Sequence, residues 1–432
     1  MRCIFVILDG IGDRGHECFS GKTPLYAANT PNLDYLSNIG MNGLYHTTLQ
    51  GIPMSSEEAH FIMFGYDLED FPGRGFIEAI GEGIEIGEKD VAILCHLCSV
   101  EKENDNLTLK WGFPELDEQD AIVLIDNIKY YKYNGVRIKL IHSKNTKGFL
   151  LLKGDVSEKI TDSDPIYEGR SLIKIQPIHD KKISKSSIKT ANALNNYLLW
   201  CYNKLKNHPI NIERTKNSLI PVNALVTQRP GKYKKIPPFE KKWGMKGLSI
   251  SSGSIYWGLC KMLGMDIIKV RDTGDVEKDL IERLKIAKEA EEFDFIHVHT
   301  KTPDEAGHKK NPYYKKEVIE AIDRAMLYVV NEIINDKEIL LIITADHSTA
   351  SSGSLIHTGE TVPITMVGKY IRKDDVKQFN EISCSSGSLG IIKGKELMHL
   401  TLNFLDKAKL HGLMDSPFDY PYHTSNPESL KL

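Results

Sequence analysis

The chain has no excess of either charge. Its 55 lysines and arginines stand against 58 aspartates and glutamates, a net charge of −3. Such a balance gives no general reason to expect nucleic acid or an anionic membrane surface as a partner. The basic runs KKISKSSIK (181–189) and KYKKIPPFEKK (232–242) read as solvated loops. No apolar run approaches the length of a membrane span. The opening MRCIFVILDG offers six apolar residues, Cys3 to Leu8, before Asp9, too few for the apolar region of a signal peptide. Cysteine is sparse and scattered: seven residues, an odd number without a disulfide framework. Cys95 and Cys98 make one CxxC, but no second ligand pair stands at zinc spacing, and the alternation in VAILCHLCSV reads as a strand. Internal repeats and low-complexity tracts are absent too. These absences set the expectation of a cytoplasmic, reduced protein.

What is present reads as an α/β protein. With 432 residues, 41 % of them hydrophobic, the chain is long enough for about two domains and a sizeable core. CIFVILD (3–9) reads as a buried strand ending on an aspartate. PNLDYLSNIG (31–40) reads as a helix begun by Pro31 and stopped by Gly40. From about 91 to 153 the text turns strand-like (VAILCHLCSV, NLTLKW, VRIKLIH, GFLLLKG), interrupted by the helical ELDEQDAIVLIDNIKYY. A helix over 186–206 carries Ile188, Ala191, Leu194, Leu198, Cys201 and Leu205 on one face. Beyond 243, helices over 254–263, 276–290 and 313–335 alternate with strands over 266–270, 293–300 and 338–346. That alternation implies a largely parallel sheet. The simplest architecture is a core of 1–90 and 243–432, interrupted by an α+β insertion of 91–242. The tail DSPFDYPYHTSNPESLKL lacks periodicity and reads as surface wrapping.

Acidic and imidazole residues gather where the core strands end. Asp9 closes the first strand. TPDEAGH (302–308) sets Asp304 four residues before His308, after FDFIHVHT. TADHST (344–349) sets Asp346 and His347 at another strand end, and His357 stands in the loop before a further strand. Singly, each has a bland reading: Asp-Gly is a common turn, D-x-x-x-H arises by chance, and Asp346 to Thr349 could cap a helix. Together they would form a dense negative cluster at the carboxyl ends of a parallel sheet, where ligands collect. Divalent cations would neutralise it.

The stretch MSSEEAHF (54–61) precedes the apolar IMFGY. A serine at that helix start lies where backbone N–H groups and the helix dipole favour an anion. A plain N-cap is the other reading, and one serine can cap while its neighbour reacts.

These stretches resemble the archaeal-type 2,3-bisphosphoglycerate-independent phosphoglycerate mutases of the alkaline phosphatase superfamily. The likeness runs from ILDGIGDR and GKTPLYAANTPNLDYLSNIG through FGYD, GRGFIEAIGEGI, TDSDP, PPFEKKWGMKG, LGMDII, TPDEAGH and TADHST to HTGETVPI. It implies an alkaline-phosphatase-like core whose mostly parallel sheet is flanked by helices, interrupted by an α+β cap that binds substrate. It implies a metal-dependent phosphotransferase with a phosphoserine intermediate, interconverting 3- and 2-phosphoglycerate. The nucleophile falls on Ser56, in Ser55-Ser56-Glu57-Glu58-Ala59-His60 where the family usually has Gly-Ser-Asp-Thr-Ala-His. Two divalent ions (Mn, Zn or Mg) are implied, one at Asp304, His308 and His357, the other at Asp9, Ser56, Asp346 and His347. The implied substrate is a small phosphorylated or phosphono carboxylic acid, with Arg74, Asp162, Asp164, Arg170, Arg229 and Lys246 as its candidate contacts.

The chain departs from the family pattern in the insertion. Leu94 and His96 stand where an arginine and an asparagine are usual. KENDNLTLKWGF (102–113) replaces an arginine-rich segment, and Lys147 replaces an arginine. Lysine keeps the charge but loses the bidentate fork. The alternatives are therefore a relative acting on another phosphoryl or phosphono metabolite, as homoserine kinase-like or phosphonate-pathway enzymes do, or a metal-binding relative without turnover.

Overall fold

The computed structural model describes residues 1–179, 183–424 and 429–431; the start of the basic run at 181 and 182 and part of the tail, 425–428 and 432, lie outside them. The chain divides into two compact units, Met1–Phe71 with Ile236–Leu432, and Pro72–Lys235. These limits fall earlier than 90/91 and 242/243, because the helix Arg74–Gly81 belongs with the second unit. A Cβ on Gly75 would lie 2.4 Å from the Ala92 carbonyl oxygen, so that helix can only approach its strand through glycine.

The first unit is built on an eight-stranded sheet. Arg2–Leu8 lies at its centre, parallel to Phe295–Thr300 on one side and to Ile339–Thr344 on the other. Arg2–Leu8 and Ile339–Thr344 read as near-continuous apolar runs, as strands covered on both faces do; Phe295–Thr300 is equally buried but alternates with His297 and His299. Gly247–Ser251 and Asp266–Lys269 extend the sheet in parallel beyond Phe295–Thr300. On the other side Val362–Val367 runs antiparallel to both Ile339–Thr344 and Met41–His46. The sheet is thus mostly parallel with one reversed strand. Its helices include Pro31–Ile39, Ser254–Met262, Val276–Glu289 and Pro312–Glu332, close to the spans that periodicity predicts. Among the described residues no helix is long and apolar enough to cross a membrane.

The second unit is a six-stranded antiparallel sheet. Its order is Asn106–Trp111, Val91–Glu103, Lys147–Lys153, Val136–Lys144, Tyr130–Tyr133, with Ala224–Lys232 also pairing Val91–Glu103. Cys95 and Cys98 sit three apart on one strand and therefore face opposite sides, each in a different apolar cluster, which rules out a shared metal. The helix Lys185–Leu205 buries Ala191, Leu194, Cys201 and Leu205 of the expected stripe, with Leu198 packed against them; Ile188 is 45 % exposed, and Tyr197 is buried as well and donates to the Ile128 carbonyl at 2.8 Å. The segment PPFEKK is likewise not a loop throughout, since Phe239–Trp243 forms a short helix closed by Gly244 in the left-handed region.

One buried cation ties together the loops at the strand ends. Lys315, on the helix Pro312–Glu332, has no exposed surface, and its Nζ donates to the carbonyls of Gly10, Gly12 and Thr349 at 2.6–2.9 Å. Asp13 lies 3.2 Å away as its counterion. Replacing the lysine by methionine leaves the volume but strands a buried carboxylate and three carbonyls. Lys315→Met should lower the unfolding free energy by about 3–5 kcal/mol. Urea denaturation checks this, and a loss under about 1 kcal/mol, the scale of an exposed ion pair, would contradict the anchoring role.

Candidate metal centre

The parallel strands deliver their carboxyl ends to one edge of the sheet. Leu8 pairs with Thr300 and Ile7 with Thr344, so Asp9, Asp304 and Asp346 follow neighbouring strands within a few residues of their ends. The reversed strand Val362–Val367 begins at the same edge, which brings in His357 just before it. Met41–His46 leads to that edge too, and the chain then enters the helix Ser56–Met63. The four residues after Thr344 cap no helix; Ser348 instead makes isolated bridges to Ile11, Gly12 and Thr358.

Two groups of ligand atoms result, Asp9 with Asp346 and His347, and Asp304 with His347 and His357. His347 belongs to both, and its ring stacks on His357 at 3.8 Å. His308 Nε2 and His357 Nε2 approach the same oxygen, Asp304 Oδ1, at 3.2 and 3.4 Å. Ser56 Oγ lies 2.9 Å from His347 Nε2. Every residue expected at either ion is therefore gathered here. All are buried except His357 and His308, which are partly open to solvent. Ser55, by contrast, sits at the N-cap position without capping: its hydroxyl donates to Glu58 Oε2 at 2.9 Å rather than accepting from the backbone.

The hydrogen bonds fix which histidine nitrogens are free. Thr349 Oγ1 has one proton and gives it to Asp304 Oδ1 at 2.7 Å, so it accepts from His347 Nδ1 at 3.1 Å. The His347 Nε2 lone pair therefore points at Asp9, Asp346 and Ser56. His357 Nδ1 donates to the Met54 carbonyl at 2.6 Å, which leaves its Nε2 facing Asp304. Asp304 favours a proton on that nitrogen in the protein alone; once the ring is neutral, its lone pair and the carboxylate repel unless a cation stands between them. Asp9 Oδ1 and Asp346 Oδ2 are likewise buried with no hydrogen-bond partner. Carboxylate oxygens and imidazole nitrogens in this number fit a hard-to-borderline divalent ion.

Electrostatics tell the same story. Burial, then Asp346 and Asp304, push the Asp9 carboxyl well above its ordinary range. Burial also works upward on Asp304, but His308 and His357 outweigh it and hold that carboxyl below the usual range; His347 and His60 do the same for Asp346. Burial pushes the His347 imidazole down to about 4. The cluster thus disfavours the ionised form of Asp9, which a cation would stabilise.

Several supporting residues escape a reading of the sequence. Tyr256 and His299 both donate to Asp9 Oδ2, at 2.6 and 2.9 Å. His60 Nδ1 donates to the Ser56 carbonyl at 2.8 Å and lies 3.4 Å from Asp346 Oδ2. Lys301 Nζ stands 3.8 Å from Asp304. The one signal available was the alternation in FIHVHT, which puts His297 and His299 on one face of a strand.

The expected substrate contacts fare differently. Lys246 stands at the amino end of Gly247–Ser251, opposite the metal cluster's edge, with its ammonium over the Phe293 ring at 4.2 Å. It is not part of the centre, because strand direction, invisible in a local motif, carries it away. Within the second unit, Asp162 Oδ1 accepts from the Arg229 backbone at 2.7 Å, Arg74 pairs with Glu78 at 2.9 Å, and Arg170 lies over Tyr167. Asp164 accepts from Gln228 and lies 3.7 Å from His96. His96 also stacks on Phe113 at 4.3 Å and pairs in register with Lys147. Three of the departures from the family pattern, His96, Phe113 and Lys147, thus adjoin one another.

Comparison with known proteins agrees. The Metalloenzyme superfamily matches residues 1–404. The chain is 44 % identical over 423 residues to 2,3-bisphosphoglycerate-independent phosphoglycerate mutase 2 of Methanocaldococcus jannaschii, covering 96 % of this chain and 95 % of that protein. Phosphoglycerate mutase 1 of the same organism is 36 % identical, with 95 % and 99 % covered. The solved cofactor-independent phosphoglycerate mutase of Thermoplasma acidophilum aligns with a TM-score of 0.63 at 29 % identity, over 94 % of this chain and 99 % of that one. The chain is an enzyme of the metalloenzyme superfamily and belongs to its archaeal-type 2,3-bisphosphoglycerate-independent phosphoglycerate mutase family.

Proposed function

We propose that the chain interconverts 3- and 2-phosphoglycerate through a phosphoserine at Ser56. The observation that carries this is the placement of Ser56 Oγ, 2.9 Å from His347 Nε2 at the N-terminus of an eight-residue helix. Two divalent ions (Mn, Zn or Mg) would be held by Asp9, Asp346, His347 and Ser56, and by Asp304, His308 and His357. When bound they supply charge neutralisation of the carboxylates, a lower serine pKa and polarisation of the phosphoryl oxygens. Ser56 then attacks phosphorus: the Oγ–P bond forms, the bond from phosphorus to the 3-oxygen breaks, and glycerate takes up the proton. In the second half the 2-hydroxyl attacks the phosphoserine and returns the group, regenerating the serine. The N-terminal position on the helix favours the doubly charged phosphoserine. His60, through its bond to the Ser56 carbonyl, holds the serine in register. Arg74, Arg170 and Arg229 supply cations for a carboxylate and phosphate. All seven cysteines are free, which supports a reducing, cytoplasmic setting.

A second reading keeps the same centre and changes the substrate. The patch of His96, Phe113, Lys147 and Asp164 favours it, because burial pushes the His96 imidazole down to about 4 and leaves it neutral where the family has a fixed cation nearby. Rates of 3- to 2-phosphoglycerate conversion near the median for enzymes, about 10 per second, would support the mutase. Phosphoserine formed from another metabolite with no such conversion would support the second reading.

Two substitutions test the centre itself. Ser56→Ala should cut phosphoryl transfer by at least about 10³-fold and abolish the mass increment of a phosphoryl group on the protein, while Ser55→Ala leaves both in place. The reverse pattern would overturn the assignment. Thr349→Val keeps the volume but removes the bridge between Asp304 and His347, and should weaken divalent-ion affinity about 10–100-fold. Calorimetry with Mn should also show affinity rising with pH, because the raised Asp9 carboxyl must be ionised to bind the ion. Unchanged affinity, or affinity that falls as pH rises, would contradict the tautomer and proton assignments.

A further inference from the structure

A second cavity lies in the first unit, at the amino-end edge of the sheet, opposite the metal cluster. It measures about 730 Å³, within the range of small-molecule sites. Its walls come from the helix Phe239–Trp243, the helix Glu396–Phe404 and the segment from Ala408 to Pro421, which folds back on the unit. That segment is fastened: Lys409 N donates to the Pro421 carbonyl at 2.8 Å, and the Tyr422 hydroxyl to the Lys241 carbonyl at 2.9 Å. The cavity also touches the foot of the helix that begins at Ser56. Gly65 lines it, and Trp243 Nε1 donates to the Phe64 carbonyl at 2.8 Å. A Cβ on Gly65 would lie 2.1 Å from the Trp243 ring, so the helix end and the cavity wall are packed without slack.

Its chemistry is cationic and aromatic. Lys395 is paired with Asp67 at 2.7 Å, and Lys409 with Asp415 at 3.2 Å and Asp419 at 3.4 Å. Lys241 and Lys242 are different: among the described residues neither forms an ion pair, and each lies over rings instead. Lys241 stands 5.9 Å from the Phe418 centroid, and Lys242 stands 5.1 Å from Tyr66 and 5.6 Å from Trp243. Asp67 and Asp70 act on Lys242 only at longer range. His399 packs edge-on against Trp243 in the same wall, and burial together with Lys395 and Lys242 pushes its imidazole down. Lys241 and Lys242 are thus two ammonium groups of this wall that lack a close carboxylate partner among the described residues. Beside it, Phe418 is 64 % and Leu410 76 % exposed, large apolar surfaces that a ligand would cover.

We propose that this cavity binds a nucleoside phosphate, with its phosphate between Lys241 and Lys242 and its base against Phe418. An anion satisfies the two unpaired ammonium groups, and a flat ring covers the aromatic wall. Because the site abuts the end of the Ser56 helix, its occupancy is placed to bias that helix.

The test is calorimetric titration of the full chain with adenosine 5′-monophosphate, and separately with inorganic phosphate and with adenosine. The nucleotide should bind with Kd at or below about 1 mM, and more tightly than either fragment. The double variant Lys241→Glu/Lys242→Glu, and Phe418→Ala on the exposed segment, should each weaken it at least about tenfold. Neither change touches the metal cluster, so phosphoryl transfer without nucleotide should stay at the wild-type rate. Binding should persist when 3-phosphoglycerate is present. Absence of binding, equal affinity for phosphate alone, unchanged affinity in Phe418→Ala, or displacement by 3-phosphoglycerate would each overturn the proposal.

Discussion

Three carboxylates held at one buried edge are the constraint on which the first unit depends. Asp9, Asp304 and Asp346 have no appreciable exposure, and Lys301 is the nearest lysine to them. Like charges removed from water at short range raise the free energy of the folded chain unless protons or cations compensate. In the protein alone the compensation comes from a raised Asp9 carboxyl, donors from Tyr256 and His299, and histidines turned toward the remaining oxygens. That is an incomplete solution, as Asp9 Oδ1 and Asp346 Oδ2 show. The strain has a use: a site that is poor at holding its own charge is well prepared for divalent ions.

The sheet and its buried supports make this arrangement affordable. Parallel strands bring carboxyl ends together by topology alone, and one reversed strand adds His357 from the opposite chain direction. Lys315 then clamps the loops after Asp9 and after His347 through their carbonyls rather than through the ligands themselves. Thr349 works at the next level, donating a hydrogen bond to Asp304 and accepting one from His347. Order in the backbone thus becomes order in tautomers, which decides which lone pairs face the site.

Much of this was legible in the sequence, for a physical reason. Apolar runs that end in Asp or in Asp-His announce a strand and its carboxyl terminus at once, so Asp9, Asp346 and His347 could be placed with no knowledge of packing. The reversed strand could not, because direction is not written in a run such as VPITMV. Nor could Tyr256, which meets Asp9 only through the packing of two distant elements. Lys315 hid beside Lys316: neighbouring lysines on one helix look alike, yet one is fully buried and the other half-open. Lys246 misled in the opposite way, since a family-like motif says nothing about which end of a strand it adjoins. In the second unit, hydrophobic spacing placed Ala191, Leu194, Cys201 and Leu205 correctly but not Ile188, which faces solvent, nor the buried Tyr197, whose hydroxyl reaches Ile128.

The central claim is that the clustered carboxylates and histidines exist to hold a pair of divalent ions beside Ser56. Anomalous diffraction from crystals grown with Mn tests it most directly. The account predicts two anomalous peaks per chain, one bounded by Asp9, Ser56, Asp346 and His347 and the other by Asp304, His308 and His357. A cluster without a peak, or with one ion bound only outside these residues, would contradict it.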